Sequence, residues 1–163
     1  MAVLDEALEL ERRAKTYYTE AKGRVSDPSA KEILGLLAAE EGKHEKALEA
    51  MRGNAEQPLG PSDVLVKARG LVEGAMKNGQ AKISTDASMR DVLQKAMEIE
   101  QATRRFYLEQ STAVTTPGVR ELFVRLAAQE ETHYFLVSSL AEYFERPKEW
   151  VESAEFGMRP EAY

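Results

Sequence analysis

The chain repeats itself. Residues 1–52 laid on residues 90–141, at a constant shift of 89 and with no gap, give 15 identical pairs. They include Val3/Val92, Leu4/Leu93, Ala7/Ala96, Glu9/Glu98, Tyr18/Tyr107, Glu20/Glu109, Pro28/Pro117 and Glu32/Glu121. Leu37-Ala38-Ala39 returns as Leu126-Ala127-Ala128. Two copies of one segment imply a pseudo-twofold axis relating two equal units.

Periodicity says what each unit is. Val3, Leu4, Ala7, Leu8, Glu11, Ala14, Tyr18 and Ala21 recur at the spacing of one helix face, with charges between them. This predicts a helix from Ala2 to Val25, stopped by Ser26-Asp27-Pro28. A second is predicted from Pro28 to Arg52, with Ile33, Leu34, Leu37, Glu41, His44, Leu48 and Met51 on one side. Pro28 suits a helix start, where its missing N–H has no intrahelical role. The second copy predicts helices over Ser88–Ala113 and Pro117–Phe144. Each pair is joined by a short turn containing proline, so each is an antiparallel hairpin. The fold class is therefore all-α: a four-helix bundle of two pseudo-symmetric hairpins, 2–52 and 88–144. No hairpin turn sits between alternating runs, so strands are unsupported.

The hairpins are joined by a long crossover, 53–87. Gly53 through Pro61 reads as loop. Ser62 or Asp63 can cap a shorter helix to Lys77, closed by Asn78-Gly79. Such a helix, roughly 24 Å long, can carry the chain back along the bundle. Residues 1–146 form the bundle and 147–163 a short tail, with one further turn expected around Trp150.

Composition narrows the function classes. The net charge of −6 opposes nucleic-acid binding, and Lys and Arg form no compensating run. No stretch approaches the roughly 18 apolar residues of a membrane span. The N-terminus enters a charged helical pattern directly, so no signal peptide is evident and a cytoplasmic location is expected. With no cysteine, disulfides, thiolate metal sites and cysteine nucleophiles are excluded together.

The two histidines carry the functional argument. Each lies three residues after a glutamate, in Glu41-Gly42-Lys43-His44 and Glu130-Glu131-Thr132-His133, and both pairs fall in repeat register. Glutamate is about one residue in seven, so two unrelated histidines would share this neighbour about one time in fifty. On a helix, residues three apart are surface neighbours, so each pair can hold one metal. Glu11 and Glu100 lie in matching apolar stripes with no Lys or Arg facing them. An ionised carboxylate on a core face is costly unless it is paired or binds metal. Glu11, Glu41, His44, Glu100, Glu130 and His133 are therefore the candidate ligands. Four carboxylates and two imidazoles can neutralise two divalent cations. Oxygen with imidazole suits iron or manganese, and zinc less comfortably. Tyr18 and Tyr107 are candidates to flank the site, although aromatics at such spacing, with Tyr17 and Phe106, commonly serve as core. Glu40 and Gln129, which differ between the copies, are outer or surface positions. Glu9, Glu20, Glu98 and Glu109 read as solvated faces.

The motifs ELERRAKTYY with AAEEGKH, and EIEQATRRFY with AAQEETH, resemble those of the ferritin-like superfamily, and within it the rubrerythrin-like di-iron proteins. The resemblance spans residues 2–144. It implies Glu11 and Glu100 as terminal ligands, Glu41 and Glu130 as bridges, and His44 and His133 as one imidazole per iron. Three departures accompany it. Rubrerythrins proper carry a cysteine-ligated rubredoxin iron site, which a chain without cysteine lacks, so electrons must come from a separate protein such as a rubredoxin. An additional ligand glutamate, one turn after the third-helix glutamate, is replaced by Thr103, which implies a more symmetric site. Gly42 stands where bacterioferritins place a haem-ligating methionine, so haem is not expected.

The expected function is a non-haem di-iron oxidoreductase that reduces peroxide or oxygen while oxidising Fe(II). The rivals are a ferroxidase of an iron-storage shell and a helical interaction protein with a structural metal site. Ferritin shells usually add a fifth helix, for which the tail after Arg146 is short. A homodimer or higher homo-oligomer is expected.

Overall fold

A computed structural model of the chain describes residues 2–55, 59–78 and 87–145. Five helices make up nearly all of it: α1 (Ala2–Arg24), α2 (Pro28–Arg52), α3 (Val64–Lys77), α4 (Ala87–Ala113) and α5 (Pro117–Glu145). No strand occurs among the described residues. Three helix ends, those of α1 and α5 and the start of α4, differ from the expected boundaries by one residue, where caps and fraying blur any sequence signal. The turn expected around Trp150 lies outside the described residues, as do 56–58 and 79–86 of the crossover.

The hairpin turn of the first unit is built by local chemistry. Asp27 is the N-cap of α2, and its carboxylate accepts a hydrogen bond from the Ala30 amide at 2.8 Å. This satisfies one of the amides left without a partner in the first turn. At the other end of α2, the Gly53 amide returns to Glu49 O at 3.0 Å. Asn54 then takes φ 56°, the left-handed region that asparagine tolerates better than most residues. Of the two residues expected to cap α3, Ser62 supplies a side-chain bond and Asp63 does not. Asp63 occupies the N-cap position without capping through its side chain. Its carboxylate pairs instead with Lys67 at 2.8 Å, and Ser62 Oγ accepts weakly from the Val64 amide.

Helices α1 and α2 pack along their length, as do α4 and α5. The hairpins meet through α1 against α4 and α2 against α5, and α3 lies over α2 and α5. A bond across the hairpins, from Tyr17 Oη to Val92 O at 2.8 Å, helps fix their register.

The apolar core is divided in two. One cluster gathers Tyr18, Ile33, Leu34, Leu37, Leu93 and Leu136 among others. The second gathers Leu8, Leu48, Tyr107, Phe123 and Leu126. Along every long helix, the six candidate ligands fall between residues of one cluster and residues of the other: Glu11 between Leu8 and Tyr18, Glu41 and His44 between Leu37 and Leu48, Glu100 between Ala96 and Tyr107, Glu130 and His133 between Leu126 and Leu136. The bundle therefore holds a polar layer between two dry halves.

Removal of the α2 cap by Asp27→Ala should cost about 1 kcal/mol and lower the melting temperature by about 2–4 °C. Thermal unfolding followed by circular dichroism checks this. An unchanged midpoint would show that the turn is held by other means.

Candidate metal centre

The layer is made by four helices, one residue or pair from each. Glu11 comes from α1, Glu41 and His44 from α2, Glu100 from α4, and Glu130 and His133 from α5. The i, i+3 spacing places glutamate and histidine side by side on α2 and on α5. All six side chains are at most 1% exposed. The candidates from sequence are thus all brought to one place. Glu9, Glu20, Glu98 and Glu109 are exposed on the outer faces.

The geometry follows the repeat. His44 Nδ1 lies 3.3 Å from Glu11 Oε2, 3.2 Å from Glu41 Oε2 and 3.0 Å from Glu130 Oε1. His133 Nδ1 lies 3.2 Å from Glu41 Oε1, 3.6 Å from Glu100 Oε2 and 3.6 Å from Glu130 Oε2. Glu41 and Glu130 therefore each send one oxygen toward each imidazole, while Glu11 and Glu100 each serve one side. The rings lie nearly parallel, 13° apart with centroids 5.3 Å apart. Two overlapping groups result: Glu11, Glu41, His44 and Glu130, and Glu41, Glu100, Glu130 and His133, each with ligand atoms within 4.8 Å of one another.

Two tyrosines brace the layer crosswise. Tyr18 on α1 donates its phenolic hydrogen to Glu100 Oε1 on α4, and Tyr107 on α4 donates to Glu11 Oε1 on α1. Both phenols are fully buried. The remaining oxygens, Glu11 Oε2 and Glu100 Oε2, are those turned toward the imidazoles.

Charge in this layer is balanced tightly. Burial pushes Glu11 and Glu100 well above the usual carboxylate range, and neighbouring carboxylates add to the rise. Burial acts the same way on Glu41 and Glu130, but the two imidazoles outweigh it and hold both below that range. Burial opposes charge on His44 and His133, yet the surrounding carboxylates raise both well above the usual histidine value. Burial, then the nearby carboxylates, raises both tyrosines, so their hydroxyls stay protonated and donate.

The donor set fits a pair of metal ions. Glu41 Oε1 and Oε2, Glu100 Oε2, Glu130 Oε1 and His133 Nδ1 are buried without a hydrogen-bond partner among the described residues. Leaving buried polar atoms unpaired costs about 1–3 kcal/mol each, more when charged. These same atoms converge on the two groups that offer ligand atoms for a cation.

Residues 91–159, spanning the second hairpin and beyond, match the rubrerythrin family. That stretch of the chain is similar to rubrerythrins. The searches of curated proteins and of solved structures returned no match. This similarity and the clustered, buried carboxylates and imidazoles are compatible with a site for two metal ions. Its described helices include none long and apolar enough to cross a membrane. Thr103, at the place of the additional rubrerythrin glutamate, is buried in α4 at 3% exposure.

Of the two places expected for Gln129, outside the ligands or on the surface, the structure takes the first. Gln129 Oε1 lies 2.8 Å from His44 Nε2 and so touches a candidate ligand directly. The one available signal was its place just before Glu130.

A divalent cation entering this rubrerythrin-like layer must displace the protons that the raised groups hold. Those groups are Glu11, Glu100, His44 and His133. Because all four lie above their usual values, raising the pH removes the competing protons and strengthens binding, and acid weakens it. Calorimetric titration in buffers of different ionisation enthalpy should show this release. Binding without proton release would mean that the carboxylates are already ionised.

Proposed function

We propose that the chain is a di-iron oxidoreductase that reduces peroxide or oxygen while Fe(II) is oxidised. The observation that carries this is the pair of bridging carboxylates, Glu41 and Glu130, each presenting one oxygen to each histidine side. Two iron ions held there would supply the two electrons that cleavage of an O–O bond consumes. Such sites hold their metals roughly 3.5–4 Å apart.

The chain's own residues set the conditions. Glu41 and Glu130 would bridge, Glu11 and Glu100 would each bind one ion, and His44 and His133 would each cap one through Nδ1. Tyr18 and Tyr107 occupy the outer oxygen of the terminal glutamates and so turn the inner oxygen toward the site. The apolar clusters on either side exclude water, which strengthens every electrostatic contact in the layer. Electrons to restore Fe(II) would come from a separate donor protein of rubredoxin type. A homodimer or higher homo-oligomer is the expected assembly.

Metal analysis of the purified chain should find about two iron ions per chain, as two-metal sites of this type hold. Glu41→Ala and His133→Ala should empty one or both positions, and near-full occupancy in either variant would sink the ligand assignment. Rapid mixing of the Fe(II)-loaded chain with peroxide, and separately with oxygen, should show oxidation that Glu41→Ala loses by at least about 100-fold. Oxidation no faster than that of free Fe(II) would overturn the proposed activity. A solution mass of a 24-mer would instead favour iron storage.

A further inference from the structure

The six candidate ligands obey the repeat, but the residues behind the two imidazoles do not. Position 129 holds glutamine, and its counterpart at a shift of 89 is Glu40. Gln129 Oε1 lies 2.8 Å from His44 Nε2, and its amide nitrogen donates to the carbonyl of Gly60, in the crossover, at 2.8 Å. Glu40 makes no matching contact among the described residues. It is 4% exposed, its Oε1 accepts from Lys43, and its Oε2 has no partner among the described residues. Neither nitrogen of His133 has a hydrogen-bond partner among them.

The polarity of the Gln129 bridge is forced. A backbone carbonyl only accepts, so the amide NH2 must face Gly60. The amide oxygen must then face His44, and Nε2 must be the nitrogen that donates. This leaves Nδ1 as the nitrogen whose lone pair can be directed at Glu11, Glu41 and Glu130. A carboxylate cannot play the same part, because it has no hydrogen to offer a carbonyl. Glutamine at position 129 can join imidazole and crossover, whereas Glu40 turns to a lysine.

We propose that Gln129 is a positioning residue that sets the ring and tautomer of His44 from the crossover, and so makes the two metal positions of the centre inequivalent. The inference rests on the two-metal reading above. The His44 position is the pre-set one, and it is tied to the connection between the hairpins. Among the described residues, the His133 position has no such tie. Filling the His44 position therefore also steadies the backbone at Gly60, through one side chain.

Titration of the full chain with Co(II), followed by calorimetry and by visible absorption, tests this. The unaltered chain should bind in two resolvable steps. Gln129→Leu should weaken one step by about 10–100-fold, the range typical for loss of a group that orients a histidine ligand, and leave the other within about threefold. Gln129→Glu keeps an acceptor for His44 Nε2 but loses the donor to Gly60, so it should restore most of the weakened step. Hydrogen exchange gives a readout independent of affinity. Co(II) should slow exchange at the Leu59 and Gly60 amides in the unaltered chain, and not in either variant, since both lack the bond to Gly60. Equal weakening of both steps in Gln129→Leu, no rescue by Gln129→Glu, or the same exchange response in all three proteins would overturn the proposal. Should Gln129→Leu fail to fold, the exchange response of Gln129→Glu decides. Absence of any Co(II) binding by the unaltered chain would instead refute the two-metal reading, and the inference with it.

Discussion

Four carboxylates and two imidazoles share one buried layer, and the rest of the bundle is arranged around what that layer costs. An isolated ionised group in a dry interior is expensive, and removing one member of a buried pair leaves the other uncompensated. Here no described Lys or Arg reaches the carboxylates; imidazoles are their only partners of opposite charge. The chain alone divides the burden with protons: two glutamates are driven toward the neutral form, two are held ionised by the histidines. Two divalent cations would satisfy all six groups at once. Metal binding would be linked to folding for this reason, since it would satisfy groups that the chain alone leaves unpaired.

The layer also explains the divided core. Apolar residues cannot interleave with it, so they gather above and below, and the helices are long enough to supply both clusters. Tyr18 and Tyr107 belong to both worlds. Their rings pack into the clusters, and their hydroxyls reach the terminal glutamates across the hairpin interface. Aromatic residues at these positions were legible in sequence as core or as neighbours of the site. The structure shows that one side chain does both, since a phenol has an apolar body and a polar tip.

Symmetry holds where the two hairpins face each other and fails where the crossover lies. A duplicated hairpin needs one connection, and that connection passes over α2 and α5 as α3. Residues under it therefore meet surroundings that have no counterpart. Gln129 finds the Gly60 carbonyl, whereas Glu40 finds Lys43. The same local rule explains Asp63, whose cap position was legible but whose carboxylate was claimed by Lys67 one turn on.

The sequence by itself determined the helices, the hairpins and the membership of the site. Period 3.6 places Glu11 on the stripe of Leu8 and Tyr18, and spacing of three places Glu41 beside His44, both by backbone geometry within one helix. The constant shift of 89 then required the same of Glu100, Glu130 and His133. Only the tertiary structure decided which oxygen meets which imidazole, that Tyr18 braces the glutamate of the opposite hairpin, and that Gln129 rather than Glu40 touches a histidine. Those contacts depend on how helices are rotated and set against one another, and on where an unrepeated crossover comes to rest. Neither is encoded in the spacing along any single helix.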